Sequence, residues 1–179
     1  GLQESGIDVV SGYDIDESCS WTYEKNNNAL FVNKDIRGIS AEDIDSDFGS
    51  ARFRLLAGCA PCQPFSRYSL SAINRKDQKW SLLDEMSRLA ETSSANMVTM
   101  ENVPELAKTS LFSDFLHRLS GAGFGHIQYD VVNCSNYGVP QQRKRLILVA
   151  SKFGPVLLPE PSIKKITVRQ AFRNLKPLE

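Results

Sequence analysis

Short apolar runs and helical stripes take turns along this chain, and that alternation leaves few folds open to it. Ile7-Asp8-Val9-Val10 reads as a buried strand ending near Gly12-Tyr13-Asp14. Ala29 to Val32 is a second, ending at Asp35, and Phe53 to Gly58 is a third that runs into the loop Cys59 to Ser66. Asn96 to Met100 ends at Glu101-Asn102, His126 to Asn133 alternates as a strand does, and Leu146 to Ala150 is continuously apolar. Between them a helical pattern starts at Asp16 and passes through Trp21, Tyr23 and Lys25. Ser81 is placed to cap a helix carrying Leu82, Leu83, Met86 and Leu89, and Phe112, Phe115, Leu116 and Leu119 stripe another, stopped by Gly121 and Gly123. The polar stretch Arg67 to Lys79 reads as a mobile loop; Pro155, Pro159 and Pro161 mark a second loop before a short helix from Thr167 to Leu175. Strands alternating with helices predict an α/β fold with a doubly wound, mostly parallel sheet. Ligands of such sheets sit beyond the carboxyl ends of the strands. Asp14, Asp35, Cys59 to Ser66 and Glu101-Asn102 all fall there.

A chain of 179 residues suits one domain with a real core. No apolar run approaches the roughly eighteen residues a membrane span needs, and no signal peptide opens the chain. Lys and Arg number 21, and so do Asp and Glu. That balance weighs against a freestanding nucleic-acid binder, which draws affinity from neutralising phosphates. The charge is uneven, however. Asp35 to Asp47 is acidic, while Arg143-Lys144-Arg145 and Lys164, Lys165 and Arg169 leave room for a basic face. Four scattered cysteines are too few for a disulfide framework, and they read as reduced thiols of a bacterial cytoplasm or a nucleus.

The chemistry centres on Gly58-Cys59-Ala60-Pro61-Cys62-Gln63-Pro64-Phe65-Ser66, directly after a buried strand. A glycine and two prolines restrict the backbone there, so the Cys62 thiol would be held rigidly. Cys59-x-x-Cys62 also suits a redox couple or half a zinc site. A thioredoxin-like couple would open a helix, and zinc needs two further ligands. His117 and His126 lack ligand spacing, so no metal is expected. A purely structural thiol is the remaining alternative. Glu101-Asn102-Val103-Pro104 sets a carboxylate at a strand end, where it could move a proton or simply cap a helix. Gln141-Gln142-Arg143-Lys144-Arg145 precedes the last strand and by itself is a basic turn.

Taken together and in this order, Pro61-Cys62-Gln63, Glu101-Asn102-Val103 and Gln141-x-Arg143-x-Arg145 resemble the signature of the C5-cytosine DNA methyltransferase family. The resemblance runs from about residue 7 to 175. It implies the Rossmann-like fold of enzymes that use S-adenosylmethionine. It also implies cofactor contacts from Asp14 and Ile15 (ribose hydroxyls), Asp35 and Ile36 (adenine), Pro61 and Leu82. Cys62 would attack carbon 6 of a cytosine flipped out of double-stranded DNA. Glu101 would protonate or bond ring nitrogen 3, Arg145 would hold the oxygen on carbon 2, and Arg143 would support the loop. Gln63, Ser66, Asn102 and Gln141 would line the substrate, with Arg67, Arg75 and Lys76 facing the DNA.

The resemblance also carries departures. The family opens with a strand and a Phe-x-Gly-x-Gly turn, whereas this chain opens at Gly1-Leu2-Gln3-Glu4-Ser5-Gly6, which matches the helix after that turn. Past the last strand the family continues into a target-recognition region. The expectation is therefore one catalytic domain over residues 1–179, incomplete at both ends, completed by a further segment or a second chain. Two other readings stand beside it: a tRNA cytosine-5 methyltransferase, although the Cys-Phe-Thr insertion of RNA-directed members is absent, and a non-catalytic module that binds DNA or a partner.

Overall fold

A computed structural model describes residues 1–60, 81–162 and 165–173. Pro61, Cys62, Gln63 and Ser66, the loop Arg67 to Lys79, Lys164, the capping side chain of Ser81 and Leu175 lie outside the described residues; the last helix, expected to run to Leu175, ends at Phe172. The order of elements is β1 (Ser11–Asp14), α1 (Ser20–Asn26), β2 (Leu30–Asn33), α2 (Ala41–Phe48), β3 (Leu55–Gly58), α3 (Ser81–Thr92), β4 (Met97–Asn102), α4 (Ser110–Gly121), β5 (His126–Asn133), β6 (Lys144–Ser151) and α5 (Val168–Phe172).

The α/β alternation expected from the sequence is present. β1 pairs in parallel with β2, and β3 in parallel with β4. β6 runs antiparallel between β4 and β5, giving a second sheet of order β3-β4-β6-β5. The antiparallel return explains why residues 126–133 alternate while β4 and β6 are apolar: β5 is an edge strand with one wet face, and the other two are central.

One face of the larger sheet carries the main core. Val98, Met100, Leu146, Leu148 and Ala150 pack under Leu83, Met86 and Ala90 of α3 and Phe112, Phe115 and Leu119 of α4. A smaller cluster of Ile39, Ile44 and Leu89 gathers Tyr13 of β1 and Ile36. Leu56 of β3 touches both clusters and so joins the two sheets through side chains.

Three local expectations change. Ile7 to Val10 is not a buried strand: pairing starts at Ser11, and Ile7 and Val10 stay 37% and 49% exposed. Those residues lead out of a 3-10 turn at Gln3–Ser5, closed by left-handed Gly6, and Val10 meets β2 through its carbonyl, which accepts from Leu30 N at 2.9 Å. The acidic stretch after Asp35 contains α2, which its low apolar content concealed. Its start is nonetheless written in the chain, since Ser40 and Asp43 form a reciprocal capping box. Finally, α4 runs through Gly121, and its stop falls at Gly123, whose φ of +89° favours glycine.

Candidate active site

Three strand ends meet on one face of the larger sheet. Along β4, Val98, Met100 and Asn102 turn into the core, which leaves Met97, Thr99 and Glu101 on the opposite face. The register sets Glu101 across from Ile147 on β6. Opposed residues share a face, so Arg145, two positions earlier, projects beside Glu101. Arg145 Nε lies 2.6 Å from Glu101 Oε1. On the other side, β3 sets Ala57 across from Thr99. Cys59 continues on that face, and its Sγ stands 3.0 Å from Glu101 Oε2. One carboxyl oxygen therefore meets a guanidinium and the other a thiol.

Asn102 points the other way and is only 2% exposed. Its Nδ2 donates to the Ala60 carbonyl at 3.1 Å, and its Oδ1 accepts from the Val103 amide at 2.8 Å. That bond ties the end of β4 to the backbone immediately ahead of Pro61-Cys62. The side chain expected at the substrate thus bonds the backbone at Ala60 and Val103. Gly58 contributes by its lack of a side chain: a Cβ there would come within 2.7 Å of Met86 Sδ, so α3 crosses directly over the end of β3.

Gln141 and Arg143 lie exposed in the turn ahead of β6. The turn is fixed through its backbone, with Arg143 N donating to Gln141 O at 3.1 Å and Cys134 N to Arg143 O at 2.9 Å.

The β1-β2 sheet carries at its strand ends the two acids expected at a cofactor. Asp14 ends β1, exposed, and its Oδ1 accepts from the Asp16 amide at 2.9 Å. Ile15 beside it is 68% exposed. Asp35 follows β2 and accepts from both the amide and the guanidinium of Arg37, which hold its carboxyl down at about 2. Ile36 packs on the smaller cluster, and Leu82 sits half-buried in the first turn of α3. An acid at each of two neighbouring strand ends, with apolar side chains following in sequence, offers acceptors for a diol and surface for a flat ring, a set that suits an adenosine.

Two supports of this region were not legible in the sequence. Arg88 of α3 donates from Nη2 to the carbonyls of Ile36 and Ile39 at 3.2 and 2.9 Å, while Glu85 holds its Nε at 2.6 Å. Asp47 of α2 accepts from the hydroxyls of Ser11 and, at 2.6 Å, Tyr13. Burial first, and then Asp47, push the Tyr13 phenol up to about 12. Both contacts join residues more than thirty positions apart, and no local pattern announces them. Among the described residues no helix is long and apolar enough to cross a membrane.

The model of the family described as C-5 cytosine-specific DNA methylase matches residues 1–175. Type II methylase M.HgiDII of Herpetosiphon aurantiacus is 38% identical over 165 residues, covering 90% of this chain and 46% of that protein. Type II methyltransferase M.FnuDI of Fusobacterium nucleatum is 29% identical, covering 83% of this chain and 42% of its own length. The chain thus spans just under half of these relatives. A prophage-encoded protein of Escherichia coli superposes with a TM-score of 0.74 at 24% identity, over 97% of this chain and 50% of the other. Spodoptera frugiperda DNMT2, as a variant, superposes with a TM-score of 0.70 at 18% identity, over 92% and 52%. At those identities the two structures establish the fold.

Proposed function

The chain belongs to the C-5 cytosine-specific DNA methylase family, and from that footing we propose that it forms the catalytic core of an enzyme that methylates carbon 5 of cytosine in double-stranded DNA. The observation that carries this reading is the placement of Glu101, with Arg145 on one oxygen and the loop leading to Pro61-Cys62 tied to the next residue, Asn102. An acid and a cation meet beside the end of β3, and the chain leads from there in sequence to Cys62.

Carbon 5 of cytosine is a poor nucleophile until a thiolate adds to carbon 6. In the reading offered here the Cys62 sulfur forms a bond to carbon 6, and the electron pair of the 5,6 double bond becomes available at carbon 5. Glu101, protonated, bonds ring nitrogen 3 and offsets the charge that develops on the ring. Arg145 holds Glu101 and the oxygen on carbon 2, while Arg143 braces the turn. Gln141, Gln63 and Ser66 line the flipped base. Once carbon 5 carries the methyl group, a base removes its proton, the double bond re-forms and the carbon 6–sulfur bond breaks, releasing Cys62. S-adenosylmethionine fits the donor set at Asp14, Ile15, Asp35, Ile36, Pro61 and Leu82, and when bound it supplies an electrophilic methyl group. Asn102 holds Ala60, the residue ahead of Pro61-Cys62, and would line the substrate beside Glu101. The type II names of the relatives suggest a modification role beside a restriction enzyme, in a bacterial cytoplasm.

The test uses duplex DNA carrying 5-fluorocytosine, S-adenosylmethionine and a denaturing gel. Fluorine at carbon 5 blocks the final elimination, so a working nucleophile stays attached to the DNA. A retarded band with the native protein and none with Cys62→Ala is expected. No retarded band, or one that survives Cys62→Ala, would overturn the covalent reading. Trapping on tRNA but not on the duplex would overturn the choice of substrate.

A further inference from the structure

We propose that Cys59 is a positioning residue for Glu101, directing the proton that Glu101 presents to the base; the proposal rests on the reaction described above. Cys59 Sγ is 3.0 Å from Glu101 Oε2, and Arg145 Nε is 2.6 Å from Oε1. A guanidinium has only donors to offer, and the unprotonated oxygen of a carboxylic acid is the stronger acceptor, so the oxygen facing Arg145 is the one left without the proton. When Glu101 is protonated, the hydrogen is therefore on Oε2. That oxygen keeps an acceptor lone pair, and a thiol is a weak donor suited to fill it. With that lone pair taken, the O–H points away from Cys59.

The terminal torsion of a glutamate is broad, so a carboxyl held at one oxygen alone can swing. Arg145 fixes one oxygen and Cys59 the other. A lysine in place of the thiol would also grip Oε2, but a second cation would favour the ionised carboxylate. A neutral donor holds the group without that penalty. The backbone on either side of Cys59 is itself held, by α3 crossing over Gly58 and by Asn102 on Ala60. Cys59 is exposed, so core packing does not account for its place.

The S–H stretching band of the protein tests the contact directly. The band that disappears in Cys59→Ala should lie below that of solvent-exposed Cys19 in the native protein, and should move up in Glu101→Leu. A Cys59 band already at the Cys19 position, or one unmoved in Glu101→Leu, overturns the contact. Methyl transfer tests the role. At saturating DNA and cofactor, Cys59→Ala should lower the rate about tenfold with KM for DNA unchanged, the scale of one hydrogen bond lost in the transition state. Cys59→Ser, which keeps a donor, should restore most of that loss. Equal losses in the two variants, or no loss in Cys59→Ala, overturn the role. If the native protein transfers no methyl group, the role falls with the reaction, and the band still reports whether the contact exists.

Discussion

The guanidinium of Arg88, on α3, donates to the carbonyl of Ile36 at 3.2 Å, across 52 residues of sequence. The same nitrogen reaches Ile39 O at 2.9 Å. One side chain therefore holds both ends of the turn that follows β2, the turn proposed to receive the adenine ring. Arg88→Ala should weaken binding of S-adenosylmethionine about tenfold while leaving kcat nearly unchanged, because two carbonyls lose their donor and the turn loosens. Titration calorimetry with the cofactor, together with steady-state kinetics, checks the split. A loss confined to kcat would contradict this role.

The pair Glu101 and Arg145 predicts the opposite pattern. Its work is done on charge that develops during reaction, so Glu101→Gln and Arg145→Ala should each lower kcat by roughly 10²- to 10³-fold. Arg145→Lys should recover little, since lysine lacks the planar fork. Transfer of labelled methyl groups to duplex DNA is the measurement, and a wild-type rate in either variant would remove the pair from the mechanism.

Asp35 supplies a test that needs no substrate. Arg37 and its own amide hold the Asp35 carboxyl at about 2, against an ordinary value of 3.8. The folded value is depressed, so the stabilisation is present above pH ~4 and is lost as pH falls through about 2. Carboxyl-carbon NMR should show Asp35 titrating late in the native protein and nearer the ordinary value in Arg37→Ala, which keeps only the bond from the residue-37 amide. An unshifted midpoint in that variant would show that the guanidinium is not the cause.

Gly12 predicts a stability effect at β1. A Cβ there would stand 2.4 Å from the ring of Tyr23, which also leans on Phe31 at a centroid distance of 5.9 Å. Gly12→Ala must displace that ring, at a cost of about 1–3 kcal/mol. Urea denaturation of the two proteins measures it, and a gain in stability would mean that the ring moves freely.

Much of this molecule is already present in its one-dimensional pattern. Elements with a strong period, such as the stripe Phe112, Phe115, Leu119 and the alternation of β5, appear where the spacing places them, because periodicity is a local property of the chain. The residues at the carboxyl ends of β1, β3 and β4 were legible for a similar reason: a doubly wound sheet delivers strand ends to one side whatever the loops do. Helix α2 escaped because half of it is acidic and it buries only Ile44, although its capping box was there to be read. What the linear pattern could not contain is the pairing of distant groups. That β6 returns antiparallel and sets Arg145 beside Glu101, that Cys59 takes the other oxygen, and that Arg88 reaches Ile36 all depend on register and helix packing. Those contacts join positions 42 to 52 residues apart, and only the assembled core, which decides which faces meet, brings them within hydrogen-bonding distance.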